Sequence, residues 1–127
     1  GWPEYEKIIG GKFYVQDTVE NGISYKRSGY KHGVDFKIYV KDKKHPVTRG
    51  VSDFEVNDET YINCSFEPDN HVLLTTDEPT SDKSICWVRN YGKGKVCCIQ
   101  PGHGVSIYMD ENYSKLVGQA IRWCAGR

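Results

Sequence analysis

The apolar positions of this chain fall into short segments separated by long polar stretches. Phe36–Val40 alternates in polarity, which predicts a half-buried strand, and His71–Thr76 is mainly apolar, which is typical of a buried strand. Ile85–Asn90 and Lys95–Gln100 flank a glycine-containing tetrapeptide and predict a β-hairpin. Residues 17–33 are polar with weak periodicity and predict a loop.

Three weaker patterns add strands at the margins. Phe54–Asn57 predicts a short edge strand, and residues 58–62 fit either a strand or a helical turn. Residues 13–15 predict one more short strand.

Helical spacing is clearest at the carboxyl end, where apolar side chains recur every three or four residues from Tyr113 to Cys124. Asp110 is placed to cap this helix and Gly126 to end it. A second, shorter helix is predicted at the start, entered through Pro3 and closed by Gly10.

Strands followed by a helix, with central strands apolar on both faces, predict a mixed sheet in an α/β domain. The 127 residues fit one domain, 1–127, with a modest core. Too few helices are predicted to cover both faces of such a sheet, and the first residues read like the interior of a domain. We therefore expect a partial domain.

The composition narrows the range of partners. Seventeen Lys plus Arg balance seventeen Asp plus Glu, so we expect neither nucleic acid nor an anionic membrane as a partner. The apolar runs are too short to cross a bilayer. Five cysteines without C-x-x-C spacing argue against a disulfide scaffold and a four-thiolate zinc site. They predict buried thiols in a reducing compartment, and so a cytoplasmic protein.

His103 is the strongest candidate for chemistry, because it lies between Gly102 and Gly104 just after an apolar strand. Ligands of open α/β sheets gather at the carboxyl ends of strands, and flanking glycines let a ligand approach the backbone. The alternative is a strand-to-loop turn whose histidine faces water.

The remaining candidates are weaker. Asp58 and Glu59 are adjacent carboxylates that face opposite ways on an extended segment, so at most one enters a given pocket. They could equally be solvated acids near a turn. His45 belongs to a proline turn and His32 to a polar loop, whereas His71 fits a structural role. No tight H-x-x-x-H spacing is present, so the cofactor is unknown, and a divalent metal site would have to be assembled across the fold.

Four segments stand out in chain order: Trp2–Gly11, His45–Phe54 with Asp58–Tyr61, Trp87–Val96, and Gly102–His103 with Leu116 and Ile121–Arg127. Together they resemble the trehalose-utilisation (ThuA-like) family, a branch of the class I glutamine-amidotransferase-like superfamily. The second segment is similar to the family signature HPITRGLPDF…DELY.

The resemblance implies a mainly parallel sheet of the flavodoxin or amidotransferase type, with a β-hairpin and a C-terminal helix. It covers only the later portion of the family domain, so the family's first strands are expected to be missing. Related amidotransferases carry a nucleophilic cysteine on an elbow and a glutamate two residues after the histidine. This chain has no such elbow, and Val105 stands at the glutamate position. Glutaminase activity is therefore not carried over.

What the resemblance does imply is a polar pocket for a small carbohydrate, such as trehalose or an oxidised disaccharide. His103, Glu59 and Asp58 are its candidate catalytic residues. The candidate substrate-binding residues are His45, His32, Tyr61, Trp87, Gly102 and Gly104.

Three interpretations stay open at this point. The protein is an enzyme of sugar catabolism that uses His103 with Glu59, assisted or not by a metal. Alternatively, it is a non-catalytic module that binds a carbohydrate or a partner. In the third, a homo-oligomer or a partner chain completes its sheet.

Overall fold

The computed structural model describes residues 2–127 and consists of one five-stranded sheet, two small two-stranded sheets and two α-helices. The helices are α1 (Pro3–Ile9) and α2 (Glu111–Cys124), with a 3₁₀-helix over Val105–Met109. The strands are β1 (Gly11–Lys12), β2 (Thr18–Glu20), β3 (Ile23–Tyr25), β4 (Gly29–Val40), β5 (Phe54–Ile62), β6 (Ser65–Phe66), β7 (His71–Thr75), β8 (Ser84–Tyr91) and β9 (Gly94–Ile99). The large sheet has the strand order β5-β4-β7-β8-β9.

The predicted mainly parallel sheet is wrong, because every strand pair within residues 2–127 is antiparallel. Parallel neighbours need a crossover of a dozen or more residues, usually a helix. Between α1 and the 3₁₀-helix the structure has no helix, and turns or irregular loops join the consecutive strands. The large sheet is therefore a curled antiparallel sheet rather than a doubly wound one.

The predicted loop over residues 17–33 is also wrong, because it contains β2, β3 and the first part of β4. Its polar side chains are mostly exposed on both faces, which removes the alternation by which a strand is recognised. Residues 58–62, which fitted two structures, continue β5 as a strand. Residues 13–15 form no strand; the short strand β1 lies just before them.

The pairing of β4 with β5 contains a bulge that matters for the site. Lys31 pairs with Thr60 and Val34 with Asp58, so His32 and Gly33 together lie opposite the single residue Glu59. Gly33 has φ +62°, which suits the extra residue of a bulge. A bulge redirects the side chains beside it. Here the bulge lies in the first part of β4, and the His32 side chain contacts Glu59.

The amphipathic helix α2 covers one face of the sheet, as predicted. The Asp110 carboxylate caps it by accepting a hydrogen bond from the Tyr113 backbone N–H at 3.0 Å. Tyr113, Leu116 and Ala120 are buried against the core, whereas Ile121 and Cys124 of the predicted stripe are exposed. The buried core is made of Val34, Phe36, Ile38, Val40, Val47, Val51, Phe54, Val56, Leu73, Leu74, Ile85, Cys86, Val88, Ile107, Tyr113, Leu116 and Ala120.

The hairpin of β8 and β9 and the early helix confirm their predictions. Trp87 pairs with Cys98 across the hairpin, and α1 ends at Gly10 with a left-handed φ of 80°. Cys97 packs on the core, while Cys98 lines a cavity with Trp87. Within residues 2–127 no helix combines the length and the apolar character needed to span a lipid bilayer.

Candidate functional site

The loop that carries His103 is held by one carboxylate. Asp58, on edge strand β5, accepts hydrogen bonds from the backbone N–H of Gly102 at 2.6 Å and from that of Gly104 at 2.5 Å. The Asp58 side chain is 1% exposed, so these charge-assisted bonds compensate a buried charge. The loop is therefore tied to the strand on both sides of the histidine.

The two glycines are required by this arrangement. Gly102 has φ +140°, and a Cβ there would lie 2.6 Å from the Tyr113 hydroxyl oxygen. A Cβ on Gly104 would lie 3.1 Å from Asp58 Oδ1. The Tyr113 hydroxyl donates to the Pro101 carbonyl at 2.9 Å, and the Tyr108 hydroxyl donates to the Gly102 carbonyl at 2.6 Å. Glycine thus allows a close, strongly bonded loop rather than a loose one.

The imidazole of His103 meets two other polar side chains. Its Nε2 lies 3.8 Å from Glu59 Oε2, and its ring centroid lies 5.0 Å from that of His32. Nδ1 of His32 contacts the same Glu59 oxygen. The β4 bulge supplies His32, β5 supplies Glu59 and the Asp58-bound loop supplies His103. We call these three residues the His32–Glu59–His103 cluster.

Burial divides the cluster into an inner carboxylate and two outer rings. Glu59 is 7% exposed, whereas the side chains of His32 and His103 are 62% and 56% exposed. Oε2 of Glu59 is buried and accepts no hydrogen bond of acceptable geometry from residues 2–127. Burial first, and then the neighbouring Glu59 and Asp58 carboxylates, raise the pKa of Tyr61. The cluster therefore combines buried negative charge with rings that a ligand can reach.

One nitrogen from each histidine and one oxygen of Glu59 all lie within 4.8 Å of one another. Two imidazoles and a carboxylate can exchange protons near neutral pH, and they are also a ligand set for divalent transition metals. The site can thus support acid–base chemistry, metal binding or both.

Tyr61, whose hydroxyl lies close to the Glu59 carboxylate, also lines a cavity of about 270 Å³. Its aromatic lining is Phe13, Tyr61, Phe66 and Trp87. Lys12, Cys64, Cys98 and Gln100 add polar atoms to its wall. Oε1 of Gln100 is buried and has no hydrogen-bond partner among residues 2–127. Aromatic faces with a free amide acceptor are groups that a sugar ring can use.

Most of the predicted site residues come together, and one lies apart. His103, Glu59, Asp58, His32, Tyr61, Gly102 and Gly104 surround the cluster, and Trp87 lines the adjoining cavity. His45 instead lies 5.4 Å from His71 and 5.2 Å from Trp123, measured between ring centroids. Their functional roles stay predictions.

Three residues that line the cavity were not predicted. Phe13 and Phe66 contribute aromatic rings, and Gln100 carries the unpaired amide oxygen. For Gln100 the sequence offered one clue, because it immediately precedes the Pro101–Gly104 loop. The two phenylalanines come from distant segments that only the fold brings together.

Comparison with known protein families identifies the family to which the chain belongs. The family profile described as "ThuA: Trehalose utilisation" matches residues 1–124. The chain belongs to the ThuA family. No curated protein matches the chain significantly.

Two solved structures share the fold of this ThuA domain. A ThuA-like protein from Parabacteroides merdae superposes with a TM-score of 0.69 at 18% identity, covering 99% of this chain and 56% of the other. A ThuA-like protein from Bacteroides uniformis gives 0.66 at 21% identity, covering 97% and 51%. The chain thus spans about half the length of either structure.

Proposed function

We propose that this ThuA domain acts on a small carbohydrate, such as trehalose or an oxidised disaccharide, at the His32–Glu59–His103 cluster. The observation that carries the proposal is the buried Glu59 carboxylate, which lies between two accessible imidazoles and close to Tyr61, a residue of the aromatic cavity. Membership of a family described by trehalose utilisation supports the choice of substrate class.

His103 would transfer the proton. Imidazole is the side chain best suited to proton exchange near neutral pH, and the His103 ring is accessible to a ligand. The proton would go to or come from a sugar hydroxyl, or a C–H made acidic by a neighbouring carbonyl. Glu59 would stabilise the imidazolium form, and Asp58 would fix the position of the loop.

The cavity would hold the sugar ring beside the proton donor. Tyr61 and Phe13 contribute accessible aromatic surface, whereas Trp87 is only 2% exposed and the unpaired Oε1 of Gln100 is buried, so a sugar would reach these two only after a local shift. His32 would contact the portion of the substrate that lies over the cluster. A ligand in this position would place its polar atoms within reach of His103.

The test is turnover of trehalose and of its keto derivative by the wild type, His103→Ala and His71→Ala. His71 is an exposed histidine beside a carboxylate, so it controls for loss of an imidazole. We expect His103→Ala to lower kcat by about 10²–10⁴-fold, the range of a general acid–base group, and His71→Ala to leave kcat unchanged. Equal turnover by all three proteins would overturn the proposal.

A second candidate is a non-catalytic module that binds the same sugars. Val105, at the position where related amidotransferases have a glutamate, is 84% exposed. Calorimetry with a panel of disaccharides would then show heat of binding, while chromatography finds no product. Binding without product would favour this candidate over the first.

The predicted cytoplasmic location and the predicted homo-oligomer or partner chain are further parts of the proposal. Light scattering of the purified protein tests the association. A monodisperse monomer with a cooperative melt would contradict the predicted association.

A further inference from the structure

We propose that His32, Glu59 and His103 bind one divalent transition-metal ion, with a coordination position left open to solvent or substrate. The proposal concerns the site of the proposed function, but metal binding does not depend on which sugar, if any, is bound. Metal affinity and turnover are therefore measured separately, and either can fail alone.

The donor atoms are those that such ions prefer. Zinc sites that take part in reactions commonly have three protein ligands from histidine and carboxylate, with water in the fourth position. Two histidines and one carboxylate are likewise typical of ferrous sites with open positions. Harder ions such as Mg²⁺ favour oxygen ligands and fit this set poorly.

The spacing is close to that of a formed site. Ligand atoms about 2.0–2.2 Å from a tetrahedral ion are roughly 3.3–3.6 Å apart. Nε2 of His103 lies 3.8 Å from Glu59 Oε2, His32 Nδ1 is in direct contact with that oxygen, and one donor atom from each residue lies within 4.8 Å of the others. The histidines are exposed, so small rotations of their rings can adjust these distances without disturbing the core.

Independent support comes from the buried oxygen of Glu59. Among residues 2–127 its Oε2 has no hydrogen bond of acceptable geometry, although it is shielded from solvent. Its close contact with His32 is not a well-directed hydrogen bond, and a buried carboxylate oxygen in that state favours a cation beside it. This oxygen is also the atom on which both imidazoles converge.

The surroundings resemble those that orient metal ligands. Asp58 fixes the loop on both sides of His103 through two backbone hydrogen bonds. The β4 bulge sets the position of His32 against β5. Groups outside the ligand shell that hold ligands in place contribute strongly to metal affinity. The preorganisation therefore comes from the backbone, which explains why the rings themselves can be exposed.

The test is a titration of the metal-free protein with Zn²⁺ by isothermal calorimetry, without sugar. The wild type is expected to bind one equivalent. His32→Ala, Glu59→Gln and His103→Ala should each weaken binding by more than about 100-fold, the upper end of what substitutions outside the ligand shell cost. His71→Ala, which removes a histidine from the other histidine–carboxylate pair, should leave affinity unchanged.

Glu59→Gln keeps the shape of the side chain, and a thermal melt of each metal-free variant shows whether it folds. Titration with Co²⁺ gives a second readout, because its visible absorption reports the ligand geometry. We expect a spectrum of low coordination number in the wild type and none in Glu59→Gln. Failure of the wild type to bind Zn²⁺, or equal binding by folded Glu59→Gln, would overturn the proposal.

Discussion

Two regions of this domain each bring two histidines and a carboxylate together, yet they use the carboxylate differently. Ring centroids are 5.0 Å apart for His32 and His103, and 5.4 Å apart for His45 and His71. Asp42 serves the second pair by accepting from the backbone N–H of Lys44 at 2.9 Å, from that of His45 at 3.2 Å and from His71 Nε2 at 2.8 Å. Both oxygens of the Asp42 carboxylate are therefore engaged, Oδ1 by the backbone of the turn and Oδ2 by His71.

In the region of His32 and His103, two adjacent carboxylates divide the work: one binds the backbone of the loop and the other faces the imidazoles. Asp58 accepts the backbone N–H groups of the loop, so Glu59 is free to face the imidazoles. Similar residue types therefore give a structural turn in one place and a candidate reaction site in the other. The distinction lies in which carboxylate satisfies the backbone.

The two regions should differ most in the free energy of unfolding that is lost when the carboxylate that binds the backbone is removed. Asp58→Ala leaves two N–H groups without their charged acceptor, and each such bond contributes about 1.5–3 kcal/mol, so the free energy of unfolding should fall by about 3 kcal/mol or more. Asp42→Ala, in a more exposed setting, should cost less than Asp58→Ala. Urea denaturation measures both, and equal losses would contradict the comparison.

The glycines of the two loops give the next test. Gly102→Ala places a Cβ 2.6 Å from the Tyr113 hydroxyl oxygen at φ +140°, whereas Gly50, at φ +72°, has only Lys115 Nζ nearby, at 3.9 Å. Backbone strain alone costs about 1–3 kcal/mol. We expect Gly102→Ala to cost about 2 kcal/mol or more and to weaken Zn²⁺ binding. Gly50→Ala should cost about 1 kcal/mol and leave Zn²⁺ binding intact; the reverse order would count against the account.

Neutral replacements of the two acids should act in opposite directions. Glu59 carries a buried charge, so Glu59→Gln of the metal-free protein removes that charge and should leave the melting temperature at pH 8 equal or higher. Asp42→Asn weakens three hydrogen bonds and should lower the melting temperature. Calorimetric melts decide, and a large loss in Glu59→Gln would show that Glu59 is a structural ion-pair partner.

The smallest effect concerns pH. Burial, and then the charges of His71 and Lys95, lower the pKa of His45 against the opposing effect of Asp42. Between the lowered pKa and the ordinary value of about 6.5, the unfolded chain binds more protons than the folded one, so stability falls as the pH drops through this window. His45→Gln should flatten that part of the stability profile, measured by urea midpoints. An unchanged slope would refute this assignment.

The elements predicted from sequence were those whose signal is local. Helix α2 followed from its apolar spacing and the Asp110 cap, and the β8–β9 hairpin followed from glycines between two strands. Strand direction was mispredicted because it depends on connections. The absence of predicted helices between the strands was a usable warning, since parallel pairs need crossovers.

The site was predicted in part for a related reason. His103 between glycines and the adjacent acids 58 and 59 were visible in the sequence, and the structure brings them together. His32 was assigned to a polar loop. The pattern of apolar and polar residues could not predict the bulge at Gly33 that places His32 beside Glu59. His45 was grouped with the site because it belongs to the family signature. A shared sequence motif does not show that its residues lie close to His103 in the fold.

The most direct test of the central claim is a crystal of the protein grown with Zn²⁺ and measured on either side of the zinc absorption edge. The account predicts one anomalous peak, bonded to His103, His32 and the buried oxygen of Glu59. A peak at Asp42 with His71 instead, or no peak at the cluster under saturating Zn²⁺, would contradict it.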